Sequence, residues 1–145
     1  MAKRQISIQP MDAASFASFG DVLTLKSKPD KMINQDMCGR HHDLAKLDFT
    51  DGQAGISLFD AVPRQLPYTL DMMERHPLGS QAFIPLHEHS FLVIVASDMG
   101  GKPGEPLAFL TAPRTGINIF TSTIKRARKN RSIINSNKSK GNYLR

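Results

Sequence analysis

Phe91-Leu92-Val93-Ile94-Val95-Ala96 is an unbroken apolar run with three β-branched residues in its middle. It is too short for a helix with a wet face. Such a run reads as a strand buried on both sides, and the residues around it repeat the theme. Ser7–Pro10, Val22–Leu25, Gly55–Phe59, Leu66–Glu74, Gln81–Leu86, Ser90–Ser97 and Leu107–Thr111 are short β-like segments. Turn residues separate them, among them Lys28-Pro29-Asp30, Asp98-Met99-Gly100-Gly101 and Arg114-Thr115-Gly116. About seven short strands at such spacing predict an all-β barrel or sandwich. One short helix is expected after Asp12, an N-cap residue, with Phe16 and Phe19 on one face and Gly20 at its end. A second helix, Thr123–Ile133, fits the composition there. Long segments of helical period are absent, which argues against a βαβ fold, and no Gly-rich nucleotide loop occurs.

The chain has 145 residues and a formal net charge of +6, the size of one domain. The charge is local. Residues 1–124 hold 11 Lys/Arg against 13 Asp/Glu, whereas residues 125–145 hold 8 Lys/Arg and no acid. The sequence therefore divides into a body, 1–120, and a basic tail, 121–145, the latter expected to be largely mobile. A polycationic tail can meet nucleic acid or an anionic surface. This one carries a single aromatic, Tyr143, for base stacking, so nucleic acid is not the expected partner. One cysteine, Cys38, excludes an internal disulfide. The N-terminus lacks an apolar secretion segment and no run is long enough to span a membrane. A cytoplasmic location is expected.

Three polar clusters carry candidate chemistry. His87 and His89 would share one face of a strand and could hold a divalent metal, although Val93 and Ile94 stand where a local third ligand would be sought; a solvated turn is the other reading. Glu74-Arg75-His76 combines a base, a cation that grips carboxylates and a proton carrier; a plain surface ion pair is its alternative. Pro77-Leu78-Gly79 then bends the chain. In Arg40-His41-His42-Asp43, adjacent histidines on a strand would face opposite ways. No Gly-x-Ser-x-Gly elbow supports a serine hydrolase, and Cys38 is better read as a buried inert thiol than as a nucleophile.

Glu74-Arg75-His76-Pro77-Leu78-Gly79-Ser80-Gln81-Ala82-Phe83-Ile84-Pro85, with Arg40-His41-His42-Asp43-Leu44-Ala45 and Ser18-Phe19-Gly20-Asp21-Val22, resembles the ureidoglycolate lyase family from about Ile8 to Asn118. The resemblance implies a cupin-like β-barrel, commonly a homodimer, that splits ureidoglycolate into glyoxylate and urea in allantoin degradation. It implies no organic cofactor and weakens the case for an essential site at His87 and His89, since the family has a variable hairpin there; a divalent ion, nickel, is associated with some members. Arg75, with Arg40, would hold the substrate carboxylate. His76 or Glu74 would take the hydroxyl proton, His42 or His41 would protonate the departing urea, and Gln81 would bond the ureido group.

The sequence departs from the family in two places. Asp60 stands where an arginine is common, and after Gly116-Ile117-Asn118 the expected His and Trp-His elements are replaced by Ile119-Phe120-Thr121 and the basic tail. That change resembles a shifted reading frame or a truncated gene; a natural divergent tail is the other reading. It implies missing closing strands, with an inactive lyase-like protein as the alternative function.

Overall fold

The computed structural model describes residues 4–125 and 132–135. They form a mostly-β domain with one short helix and mixed sheets: β1 (Arg4–Pro10), α1 (Ala13–Phe16), β2 (Gly20–Leu23), β3 (Lys31–Ile33), β4 (Cys38–Arg40), β5 (Tyr68–Leu70), β6 (Glu74–Arg75), β7 (Gln81–Phe83), β8 (Leu92–Ser97), β9 (Leu107–Leu110), β10 (Gly116–Ile119), β11 (Thr123–Lys125) and β12 (Ser132–Asn135). Seven strands pair in the order β5-β12-β1-β9-β8-β11-β6, three in the order β2-β10-β7, and β3 with β4.

The continuous apolar run forms β8, inside the large sheet. Its side chains alternate between two cores. Ile94 and Ala96 pack with Ile6, Leu70, Met73, Ala108 and Ile124. Val93 and Val95 pack on the other side with Met11, Phe16, Phe19, Phe109, Ile117 and Ile119. This second core is the layer between the seven-stranded sheet and the three-stranded one. Helix α1 closes it: Asp12 accepts the Ser15 amide at 2.8 Å while the Ser15 hydroxyl takes the Asp12 N–H at 3.2 Å, the reciprocal cap that the short polar pair encodes. Phe16 then stands edge-on to Phe109 at 5.4 Å between centroids, a favourable aromatic geometry.

The large sheet is not flat. Its two edge strands, β5 and β6, are separated only by residues 71–73. Six flat spacings of ~4.8 Å would put those edges about 29 Å apart, whereas the chain from Leu70 to Glu74 reaches at most about 14 Å. The sheet must curl. Strand β1 is the corner: Arg4–Ser7 pair with β12 and Ile8–Pro10 with β9. Ile6 and Leu70, from one side of that corner, meet Ile94, Ala108 and Ile124 from the other. No ladder joins β5 to β6 among the described residues, so the hydrogen-bonded sheet stays open.

Several expectations change. The described parts of Thr123–Ile133 are strand, not helix: Thr123–Lys125 lies between β8 and β6, and Ser132–Asn135 runs parallel to β1. Strand partners supplied by distant sequence decide both described pieces. Two strands of the large sheet thus come from beyond residue 121; residues 126–131 and 136–145, part of the tail expected to be mobile, lie outside the described residues. Gly55–Phe59 is not a strand, and Ile56, Leu58 and Phe59 are exposed with no neighbouring strand to pair with. Gly20 does not end the helix, which stops at Phe16. It opens β2, where a Cβ would sit 2.0 Å from the Asn118 carbonyl oxygen. Only glycine permits that approach.

Candidate active site

Strand register decides which predicted residues can act together. Lys125 pairs with Glu74 on one side and Val95 on the other. Directly opposed residues share a face, and Val95 belongs to the inter-sheet core, so Glu74 and Lys125 face the three-stranded sheet. His76 lies with them, its Nε2 3.5 Å from Glu74 Oε1. Arg75 faces the other way, with Ile124 and Ala96.

Across the layer, β7 contributes Gln81 and Phe83, which oppose Ile119 and Ile117. Phe83 packs on the inter-sheet core. Lys125 Nζ lies 4.6 Å from its ring centroid and 4.0 Å from Glu74 Oε1. The lysine side chain is only 13% exposed, against 57% for Glu74. Burial pushes the Lys125 pKa down from its usual 10.5, opposed in part by the Glu74 carboxylate. Gln81 Oε1 is buried and has no hydrogen-bond partner, a costly state for a carbonyl oxygen unless something donates to it.

Arg75 is already engaged. Its guanidinium donates to Asp98 Oδ2 at 2.8 Å, and Asp98 Oδ1 accepts the Gly101 amide at 2.5 Å. Arg75 first, then the Gly101 N–H, hold the Asp98 carboxyl below its ordinary 3.8. The bend after β6 is fixed by a second segment: Ser80 N–H donates to the Asp48 carbonyl, and Ser80 Oγ accepts the Asp48 N–H, both at 2.8 Å. That amide is therefore not open to an anion.

Arg40, His41 and His42 belong to the β3–β4 hairpin and the loop after it. Lys26 N–H donates to His41 Nδ1 at 3.0 Å, and Arg40 Nη2 lies 3.1 Å from His42 Nδ1. Either imidazole, while neutral and accepting at Nδ1, carries its proton on Nε2. Asp30 ties the hairpin by accepting from Lys26 Nζ and the His42 amide, and those two donors, Lys26 first, lower its pKa. His41 and His87 line an open groove of about 610 Å³ on the outer side of the three-stranded sheet, walled mainly by aliphatic side chains such as Leu47, Ile84 and Leu86.

His87-Glu88-His89 is a bend, not a strand, so the alternation that would aim both imidazoles one way does not apply. The rings are 5.5 Å apart, His87 Nδ1 accepts the His89 amide at 3.2 Å, and Glu88 pairs with Arg114. Among the described residues no three His, Cys, Asp or Glu side chains come together as a metal-ligand set. Cys38 is exposed.

A family model described as ureidoglycolate lyase matches residues 3–126. The chain belongs to the ureidoglycolate lyase family. The match passes Asn118 and takes in β11 with Lys125. Among curated members, "Ureidoglycolate lyase" of Rhodobacter capsulatus is 57% identical over 117 residues, covering 80% of this chain and 73% of that protein. "Ureidoglycolate lyase 2" of Rhizobium meliloti is 48% identical over 116 residues, 79% of this chain and 71% of that one. "Ureidoglycolate lyase" of Chelativorans sp. is 43% identical over 122 residues, covering 83% and 74%. Family membership makes the chain a carbon–nitrogen lyase by homology, with a ureidoglycolate-type substrate as the class to test. Among the described residues no helix is long and apolar enough to cross a membrane.

Sequence reasoning groups Glu74 with His76 and misses two of the charged neighbours that β6 acquires. Lys125 shares the composition of the basic tail and is hidden in it. Asp98 has the surroundings of a turn residue. Neither has a local signal; both are found only once β6, β8 and β11 are aligned.

Proposed function

We propose that this chain cleaves ureidoglycolate to glyoxylate and urea, with the chemistry between Glu74, His76 and Lys125 on one sheet and Gln81 on the facing one. The observation that carries the reading is the β6–β11 register, which turns a carboxylate, an imidazole and a mostly buried ammonium toward one apolar layer. In this reading Glu74 takes the substrate hydroxyl proton, the C–O bond becomes a carbonyl, the C–N electrons move to nitrogen, and His76 protonates the departing urea. Gln81 Oε1, buried and without a donor, accepts a ureido N–H. The reading also takes the curled sheet to be cupin-like and the working unit to be a cytoplasmic homodimer.

The outer groove of about 610 Å³ is walled mainly by aliphatic side chains, and its one guanidinium, Arg114, is already paired with Glu88.

A continuous assay of urea release from ureidoglycolate by folded, purified chain tests the proposal. Turnover is expected, and Glu74→Gln or His76→Asn should lower kcat about 10²–10⁴-fold, the usual contribution of a positioned acid or base. Absence of turnover by the unmodified chain refutes the lyase reading. Near-unchanged kcat in both variants refutes the residue assignment instead.

A further inference from the structure

The substrate carries a carboxylate, and the arginine expected to hold it is turned to the opposite face and bound to Asp98. We propose that Lys125 supplies the cation that binds the substrate carboxylate. The inference rests on the lyase reading for its ligand class, while its geometry stands on the place of β11 between β6 and β8 and on Phe83 of β7.

Three features support it. Lys125 is inserted between β6 and β8, so its stem is fixed by backbone pairing on both sides, unlike the long, mobile side chain of a surface lysine. Its ammonium lies over the Phe83 ring, a placement that favours a cation. Among the described residues its nearest anionic acceptor is Glu74 Oε1 at 4.0 Å, beyond hydrogen-bond distance. An ammonium has three donors; this one has a charge neighbour without a close hydrogen-bonded partner. A mostly buried cation in that state attracts a carboxylate more strongly than an exposed one, because water screens it less. The charge of an incoming carboxylate would oppose the effect of burial on the ammonium, as Glu74 already does in part.

The arrangement orients the substrate as well. A carboxylate on Lys125 Nζ brings the adjacent carbinol carbon toward Glu74, while the ureido arm extends toward Gln81 on β7. Lys125 is thus a binding and positioning residue, and the proton transfers stay with Glu74 and His76. Arginine at 125 would keep the charge but spread it over a larger planar group.

The test uses glyoxylate, the carboxylate product, titrated calorimetrically onto the full chain, so that binding is read apart from turnover. Lys125→Met, which keeps the stem and removes the charge, is expected to weaken glyoxylate binding at least tenfold. Lys125→Arg should recover most of that loss, and Arg75→Met should leave affinity within about twofold, with thermal melts confirming that each is folded. In turnover, Lys125→Met should raise KM more than it lowers kcat.

Unchanged glyoxylate affinity in Lys125→Met, a large loss in Arg75→Met, or no glyoxylate binding by the unmodified chain overturns the proposal. If Lys125→Met does not fold, acetic anhydride labelling of Lys125 in the unmodified chain decides. Slowing by glyoxylate supports the assignment and an unaffected rate overturns it. Lys125-dependent binding without urea release would leave the anion site standing while refuting the lyase reading.

Discussion

Asn118 offers the sharpest test of how the site is supported. It is fully buried on β10, and its Nδ2 donates to Asp21 Oδ2 at 3.0 Å and to the Lys46 carbonyl at 2.9 Å. One amide thereby ties β2 and the loop before Phe49 to the middle of the three-stranded sheet. A hydrogen bond to a charged group contributes about 1.5–3 kcal/mol and a neutral one about 0.5–1.5 kcal/mol. Asn118 Oδ1 is buried without a partner, so deleting the amide also removes a penalty of about 1 kcal/mol or more. Asn118→Ala should therefore cost a net of about 1–3 kcal/mol, lowering the urea midpoint by roughly 0.5–1.5 M at an m-value near 2 kcal/mol/M. Asn118→Asp should cost more, because it sets a second carboxylate against Asp21. Combining it with Asp21→Asn restores a donor–acceptor pair, and the double-mutant cycle should show a favourable coupling of about 1–3 kcal/mol. Additivity of the two changes within about 0.5 kcal/mol, or an Asn118→Ala midpoint equal to that of the unmodified chain, refutes the claim that this amide holds the sheet.

Other consequences can be measured directly. Gly20→Ala must displace the Asn118 backbone and should cost at least about 2 kcal/mol by urea denaturation; a smaller loss would mean that β2 can shift away. Asp98 has a folded pKa below its ordinary 3.8, chiefly through Arg75. Its contribution is therefore present above that ordinary value and lost as pH falls through the folded one. In Arg75→Met, the Asp98 carboxyl followed by NMR should titrate closer to 3.8. For Lys125 the sign is opposite. Its folded pKa lies below 10.5, so the unfolded chain binds more protons between the two values and stability rises with pH across that window. Lys125→Met should remove this alkaline rise, and a persistent rise of equal size would assign it to another group.

The sequence exposes those parts of the fold that depend on near neighbours. The apolar run of β8 has no wet face in any register, and Asp12 with Ser15 forms its cap within one turn, so both are visible without a partner. Gly55–Phe59 shows the converse: alternating apolar residues suggest a strand, yet pairing requires a second chain segment that this stretch does not meet. Lys125 and Ser132–Asn135 are the same problem inverted, since short segments beside a charge run become strands through partners far away in the sequence. At the site, Glu74 and His76 can be grouped by their spacing. That Arg75 points away from them emerges once β6 is registered against β11. Replacement of Arg75 by Lys125 as the available cation then rests on two ladders, and no local motif encodes it.

The place of β12 bears on when this protein can fold. Arg4–Ser7 and Tyr68–Leu70 both find their described ladder partner in Ser132–Asn135. During synthesis, an early strand and a middle one must wait until almost all of this sequence has been translated before either gains that neighbour. At roughly 5–20 residues per second, Arg4–Ser7 waits several seconds with open backbone donors and acceptors, a template for intermolecular pairing. Yield in the cell should therefore respond to translation speed and chaperone supply over residues 76–135, even when the finished chain is unchanged.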